Sequence, residues 1–258
     1  SEQNITAGID ALRKLPMAEG YMTASQVAYD LLTAGKTLEQ IVDGDRKSYV
    51  MQYIDWKHIE NNAFHVTEEF AVSRTGMSDT YRPDIVLFVN GIPLCIIECK
   101  RPDIKDSLNQ AISQHLRNQK DDGIRSLYVY SALLLSTNVN EVSYATTGTP
   151  KKFWNKWTEQ FVDKTAEELY RYKLSEKVNQ KHVVSDISWK EYRMCAEPTV
   201  QYGSLKTPSI QDSYLYNLCR PDRLLNLMYR FTLYDDGVKK IARYQQYFAV
   251  EKVMERVR

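Results

Sequence analysis

Three charged residues at the ends of two apolar runs have the types and spacing of a metal-dependent hydrolytic site. Asp84 precedes the first run, and Glu98 and Lys100 end the second. Hydrolysis of a phosphodiester needs a divalent cation that activates the attacking water, and Mg²⁺ prefers oxygen ligands. Two carboxylates and the backbone carbonyl of Cys99 would supply such ligands, while Lys100 would orient the water and offset negative charge. We therefore predict a catalytic metal site at these residues.

The hairpin between the two runs decides whether the carboxylates meet. An Asn-Gly pair at residues 90–91 predicts a turn, because both residue types tolerate positive φ. A two-residue loop would place Asp84 opposite Ile97, with Glu98 on the other face, whereas a three-residue loop would pair Asp84 with Glu98. We predict the three-residue loop or an equivalent bulge near Pro93, which cannot donate to a β-ladder. Carboxylates paired in this way repel each other unless a cation lies between them.

The same residues also have an interpretation without catalysis. Asp84 would then start a strand after a turn, and Glu98 and Lys100 would form the solvated end of the next strand. Three charged groups at the ends of two otherwise apolar strands would be an unusual coincidence, so the pattern favours a site.

The tripeptide Arg-Pro-Asp alone does not identify the site, since it occurs three times, at residues 82–84, 101–103 and 220–222. Only the first copy precedes a hydrophobic strand and a Glu-x-Lys sequence. Pro221 in the third copy is typical of a helix start. Asp103, in the second copy, is therefore not assigned to the site.

The surrounding elements predict an α/β fold. The two runs are apolar on both faces, as in central strands of a covered sheet. A helix follows over residues 106–119, and further strands are predicted at 127–130 and 133–135. The order β, β, α, β describes a mixed β-sheet flanked by helices.

Elsewhere the patterns predict elements without evident chemistry. These are helices within residues 1–45, short strands within 49–72, a loop at 73–80, a helix at 158–173, a loop or linker at 200–213, and helices at 223–233 and 239–257.

Composition excludes several classes. Lys plus Arg (34) balance Asp plus Glu (33), so any basic DNA-binding surface must be local. The four cysteines and four histidines have no zinc-binding spacing, and the cysteines suit a reducing compartment. No apolar run is long enough to span a membrane and no signal peptide is evident, so we expect a cytoplasmic protein without a membrane partner.

The run RPDIVLFVNGIPLCIIECK resembles the N-terminal nuclease domain of the motor (R) subunit of type I restriction enzymes, in the PD-(D/E)xK superfamily. The likeness extends upstream to residues 54–56 and 60–64 and downstream into the helix at 106–119. There the family carries Gln-x-x-x-Tyr. Gln114 matches, which implies a catalytic role close to the water, Lys100 or the backbone near the cut, but Asn118 occupies the tyrosine position. The family also has an acidic residue in an N-terminal helix near the site; Glu60 is a candidate for it, although its position suits a residue that caps or braces a loop better.

This resemblance implies a PD-(D/E)xK restriction-endonuclease-like core that uses Mg²⁺, with Mn²⁺ as a possible substitute. It implies duplex DNA as substrate and methylation and specificity subunits as partners, with the chain alone expected to be a monomer. The expected organisation is an endonuclease domain at 1–165, an extension or linker at 166–213, and a helical segment at 214–258 that leads toward a helicase motor outside this chain.

A C-terminal stretch, residues 240–250, also resembles the family, where a similar segment helps recognise the nucleotide. Arg243 and Gln246 would be the matching residues. An amphipathic surface helix is the alternative interpretation. Because a Walker A sequence is absent, ATP is expected to act only in the full-length subunit.

Two other functions remain open. The Tyr-rich region after Gly148 would suit a docking scaffold of the restriction complex with little activity of its own. The core motif would also suit a stand-alone structure-specific nuclease, although such small enzymes do not need the C-terminal helix.

Overall fold

A computed structural model describes residues 1–180 and 205–257. Its α-helices are α1 (Glu2–Arg13), α2 (Tyr21–Ala34), α3 (Ser107–Asn118), α4 (Arg125–Tyr128), α5 (Lys164–Asn179), α6 (Ile210–Cys219), α7 (Pro221–Arg230) and α8 (Tyr244–Val257). Its strands are β1 (Lys36–Val42), β2 (Asp45–Met51), β3 (Phe64–Glu68), β4 (Val72–Ser73), β5 (Thr80–Tyr81), β6 (Ile85–Val89), β7 (Ile92–Cys99), β8 (Leu133–Asn138), β9 (Glu141–Ala145), β10 (Thr232–Asp235) and β11 (Val238–Ile241).

A five-stranded sheet of order β3-β6-β7-β8-β9 forms the centre of the molecule. The β6–β7 pair is antiparallel, and β7 and β8 are parallel, joined by a crossover that contains α3. Strands β7 and β8 are almost entirely buried because helices cover the sheet. The predicted mixed sheet flanked by helices, consistent with a PD-(D/E)xK-like core, is confirmed.

The β6–β7 hairpin has a two-residue turn followed by a bulge. Residues 90–91 both have positive φ, and Val89 pairs with Ile92 across them. Farther from the turn, however, Leu87 pairs with Cys95 rather than Leu94, so β7 contains one extra residue. The prediction of a three-residue loop was therefore wrong.

The bulge nevertheless restores the register that the longer loop would have produced. It follows Pro93, as the alternative prediction stated. The ladder ends with Ile85 opposite Ile97, so Asp84 and Glu98 are the next residues on the two chains. The bulge thus brings both carboxylates to the same end of the hairpin.

One buried apolar cluster joins the central sheet to the C-terminal elements. Cys95 and Leu133 of the sheet share it with Leu218 of α6, Leu225 of α7 and Tyr247 of α8. The C-terminal elements therefore pack on the sheet through apolar side chains that are almost completely shielded from water.

Several secondary-structure predictions were wrong. The expected strand at 127–130 begins in helix α4, because its apolar residues are buried in a helical turn. The expected helices within 1–45 end at Ala34 and are followed by the β1–β2 hairpin. The segment 214–258 is not helical throughout, since the β10–β11 hairpin separates α7 from α8.

The remaining predictions were shifted or partly outside the described residues. The helix expected at 158–173 is α5, which begins at Lys164, capped by the Asp163 side chain. The loop or linker at 200–213 includes residues 200–204, which are not described, and it ends within α6. Among the described residues, no helix is long and apolar enough to cross a membrane.

Candidate active site

Asp84, Glu98 and Lys100 meet at the end of the β6–β7 hairpin. The backbone N–H of Cys99 donates a 2.6 Å hydrogen bond to Oδ2 of Asp84. Lys100 Nζ lies 3.8 Å from the same oxygen. The structure therefore brings together the three side chains that the sequence singled out.

Backbone hydrogen bonds from neighbouring segments fix both chain ends. The N–H of Glu69, just beyond β3, donates to the carbonyl of Asp84 at 3.0 Å. On the other side, the N–H of Lys100 donates to the carbonyl of Thr137 in β8 at 2.8 Å. The site thus lies at the centre of the sheet, held by backbone hydrogen bonds on both sides.

Glu98 is fully buried, with 0% of its surface exposed. Its Oε2 atom has no hydrogen-bond partner. Burial raises the pKa of the Glu98 carboxyl to about 8, and the negative charge of Asp84 adds to the rise, while Lys100 lowers it. A buried carboxylate without a counterion is unfavourable, so Glu98 needs either a proton or a cation.

The other oxygen of Glu98 is held by a buried chain of polar side chains. Nδ2 of Asn118 donates to Glu98 Oε1 and to the Tyr128 hydroxyl, both at 3.3 Å. The Tyr128 hydroxyl also lies 2.9 Å from Nδ1 of His115. Arg117 donates to Asn118 Oδ1 at 3.3 Å, so the amide nitrogen faces Glu98.

The tautomer of His115 decides which groups donate and which accept in this series of hydrogen bonds. Its Nε2 lies 2.9 Å from the carbonyl oxygen of Leu135, which can only accept, so Nε2 carries the proton. Burial lowers the pKa of His115 to about 4, so the ring is neutral and Nδ1 accepts from Tyr128. Tyr128 then accepts from Asn118, which is left to donate to Glu98.

The donor set fits a hard divalent cation. Asp84 and Glu98 offer carboxylate oxygens, and Glu98 Oε2 is buried without a partner beside a second carboxylate. The Cys99 carbonyl adjoins them and accepts from Lys100 Nζ at 3.3 Å. No group of three or more His, Cys, Asp or Glu side chains suited to a metal occurs in the described parts of the chain. A cation here would therefore rely on two carboxylates, this carbonyl and water.

The other expected residues lie at three different places. Gln114 lines the cavity that Lys100 borders, on the exposed side of α3. Asp103 is paired with Arg101 at 2.5 Å and remains outside the site. Glu60 lies in the 3₁₀ turn beside Asn62, which binds the Asn90 turn at the far end of the hairpin. Glu60 therefore does not belong to this site.

Arg243 and Gln246 lie at the start of α8. The backbone N–H of Arg243 donates to Oε1 of Gln246 at 2.8 Å, as in a helix cap, and both residues are exposed. Gln246 therefore has a structural role, and nucleotide recognition by these two residues stays a prediction.

The buried side chains that hold Glu98 were not predicted from the sequence. His115 and Asn118 lie three residues apart on the inner face of α3, a spacing that can be read from the sequence. Tyr128 could not be found in this way, because its apolar run was interpreted as a strand. It lies instead in α4.

The family described as type I restriction enzyme R protein N terminus matches residues 2–153. The chain belongs to this family. The match contains the whole central sheet, Asp84, Glu98, Lys100 and the α3 residues that surround them.

Relatives within this group of enzymes are similar over most of the chain. A Methanocaldococcus jannaschii protein with the provisional name type I restriction enzyme MjaIXP endonuclease subunit is 28% identical over 232 residues, which is 90% of this chain and 20% of that protein. The type I restriction enzyme HindI endonuclease subunit of Haemophilus influenzae is 27% identical over 239 residues, 90% of this chain and 19% of its own length. The chain thus spans about a fifth of the length of these relatives.

Proposed function

We propose that this chain is the metal-dependent DNA-cleaving module of a type I restriction enzyme R subunit. The observation that carries the proposal is the fully buried Glu98, whose Oε2 lacks a partner although Asp84 and Lys100 adjoin it. The relatives named as endonuclease subunits support the same activity.

Asp84, Glu98 and the Cys99 carbonyl would hold Mg²⁺ or Mn²⁺. When bound, the cation would neutralise charge on the phosphate and lower the pKa of an attacking water. The chain's own residues prepare the place: Cys99 N–H holds one oxygen of Asp84, and Asn118 holds one oxygen of Glu98.

Lys100 would act on the water and the phosphate. Its side chain is 21% exposed and its Nζ lies 3.8 Å from Asp84 Oδ2, so the ammonium group is fixed yet reachable from solvent. It can donate hydrogen bonds to the water and offset charge that develops in the transition state. Gln114, at the border of the same cavity, would contribute an amide contact.

The larger assembly belongs to the same proposal. The substrate would be duplex DNA, with methylation and specificity subunits as partners and ATP used only by the full-length subunit, while the chain alone would be a monomer. The thiols of Cys95, Cys99 and Cys219 are free, which suits the reducing cytoplasm.

The docking-scaffold alternative stays open. In the described part of the Tyr-rich region, Trp157 is buried against Tyr144 and Tyr247, but Phe153 and Tyr172 are 48% and 66% exposed and could contact a partner. The subunit names of the relatives favour a module of a larger enzyme over a stand-alone structure-specific nuclease.

Cleavage of plasmid DNA by the enzyme in Mg²⁺ tests the proposal. Asp84→Asn and Lys100→Met each should lower the cleavage rate by about 100-fold or more, because each removes a group that acts on the reacting atoms. Asp103→Asn is the matched control, since this nearby acidic residue is paired with Arg101 outside the site. Cleavage retained by both site variants would refute the assignment.

A further inference from the structure

A polar groove runs from the candidate active site along helix α3. Its volume is about 370 Å³, and Lys100 borders it together with Gln110, Gln114, Arg117 and Lys151. Lys151 belongs to a short 3₁₀ helix, Lys151–Phe153, that packs beside α3. The groove therefore shares Lys100 with the candidate active site and extends away from it.

The spacing of residues on α3 explains why this face is polar. Asn109, Gln110, Ser113, Gln114 and Arg117 follow the three-and-four spacing of one helical face. The opposite face is buried against the sheet. Amides, a hydroxyl and a guanidinium thus line the groove along two turns or more of helix.

The charge of the groove is positive. Lys100, Arg117 and Lys151 contribute three cations, and Asp106 is the only carboxylate among the lining residues. The Asp106 carboxylate already accepts from Asn109 at 2.5 Å. Within the parts of the chain that the structure describes, neither Arg117 nor Lys151 forms an ion pair. The Arg117 guanidinium is held over the Tyr81 ring, 4.6 Å from its centre, and donates to Asn118. Among the described residues, Lys151 is therefore the cation that faces the groove with no contact to an anion or a ring.

We propose that this groove binds phosphates of the DNA strand next to the scissile phosphodiester, with Lys151 as a phosphate-binding residue. Lysine, arginine, serine and side-chain amides are the groups that usually contact DNA phosphates. The inference rests on the proposed function, because Lys100 would place the scissile phosphate at one end of the groove.

Lys152 offers a matched control for Lys151. The two lysines are neighbours in the same 3₁₀ helix, and both are exposed. The Lys152 ammonium lies 4.8 Å from the centre of the Phe153 ring, however, and Lys152 does not line the groove. Replacing either residue by alanine removes the same charge from almost the same place in the sequence.

Binding of a fluorescent DNA duplex to the chain, measured by anisotropy in Ca²⁺ over a series of salt concentrations, tests the groove. Lys151→Ala should weaken binding about 3- to 10-fold and lower the slope of log affinity against log salt by about 0.9, since one phosphate contact is lost. Lys152→Ala should remain close to the wild type. Equal losses in both variants, no loss in Lys151→Ala, or no binding by the wild type would overturn the groove.

Cleavage measured on the same wild-type enzyme separates this inference from the proposed function. A protein that binds DNA through Lys151 and never cleaves it would refute the proposed function while supporting the groove. A protein that cleaves DNA but binds it independently of Lys151 would refute the groove alone.

Discussion

Glu98 illustrates at the residue scale how burial and charge conflict in this molecule. The carboxyl group is completely shielded and its pKa is raised to about 8 from the ordinary value of 4.5, mainly by burial. Between these two values the folded chain without metal holds a proton that the unfolded chain has lost. Folding stability must therefore fall as pH rises through this window.

Glu98→Gln should remove that contribution, because glutamine has the same shape and does not titrate. The free energy of unfolding of the wild type, minus that of Glu98→Gln, should decrease from pH 4.5 to about 8. The wild type should therefore lose stability relative to the variant, by at most about 1.4 kcal/mol per pH unit. Urea denaturation in EDTA at several pH values measures it. Parallel stability curves for the two proteins would contradict the raised pKa.

The residue scale is also where the sequence was most informative about the site. Asp84, Glu98 and Lys100 could be predicted because their spacing and position in apolar runs are local properties. The contact of Asn118 with Glu98 and Tyr128 could not be predicted in this way. The position seemed to lack a tyrosine, but a phenol hydroxyl reaches this place from Tyr128 in another helix. That contact depends on tertiary packing, which no local pattern contains.

At the scale of elements, hairpin turns explain which strands were predicted correctly from the sequence and which were not. Asn90-Gly91 was recognised as a turn, and the structure confirms it. Asp43-Gly44 and Asp236-Gly237 have the same positive-φ pattern and were not recognised as turns. The first lies in a stretch interpreted as helical, and the second lies between the helices predicted at 223–233 and 239–257. Asp-Gly is as strong a hairpin signal as Asn-Gly, so these two hairpins were predictable from the sequence.

The bulge in β7 was only partly predictable. Pro93 indicated that the β-ladder could not be regular there. A three-residue loop and a bulge would both have brought Asp84 opposite Glu98, and the sequence did not distinguish them. The extra residue of β7 is Leu94, which is 0% exposed, so the bulge both places a core side chain and brings Glu98 opposite Asp84.

At the scale of the whole molecule, one buried ion pair joins the C-terminal helices to the rest of the fold. Arg223 of α7 donates to Glu159 at 2.8 Å, and their side chains are only 5% and 13% exposed. The Arg223 guanidinium also lies 4.5 Å from the centre of the Tyr247 ring in α8. This arrangement connects three segments that are far apart in the sequence.

Arg223→Ala should destabilise the chain by about 3–5 kcal/mol, because it leaves the largely buried Glu159 carboxylate without a cation and with the Trp157 indole N–H as its remaining donor. Arg220→Ala is the control, since Arg220 pairs with the exposed Asp222 and should contribute about 1 kcal/mol or less. Urea denaturation measures both variants. A loss in Arg223→Ala no larger than in the control would show that the pair does not hold the C-terminal helices.

Calorimetric titration of the chain with Mn²⁺ tests most directly whether Asp84 and Glu98 form one divalent-cation site. The wild type and Asp103→Asn should bind one ion with equal affinity, and Glu98→Gln should bind at least about 10-fold more weakly, since it removes a charged ligand from a two-carboxylate site. Binding that is absent from the wild type, or that is unchanged in Glu98→Gln, would contradict the site.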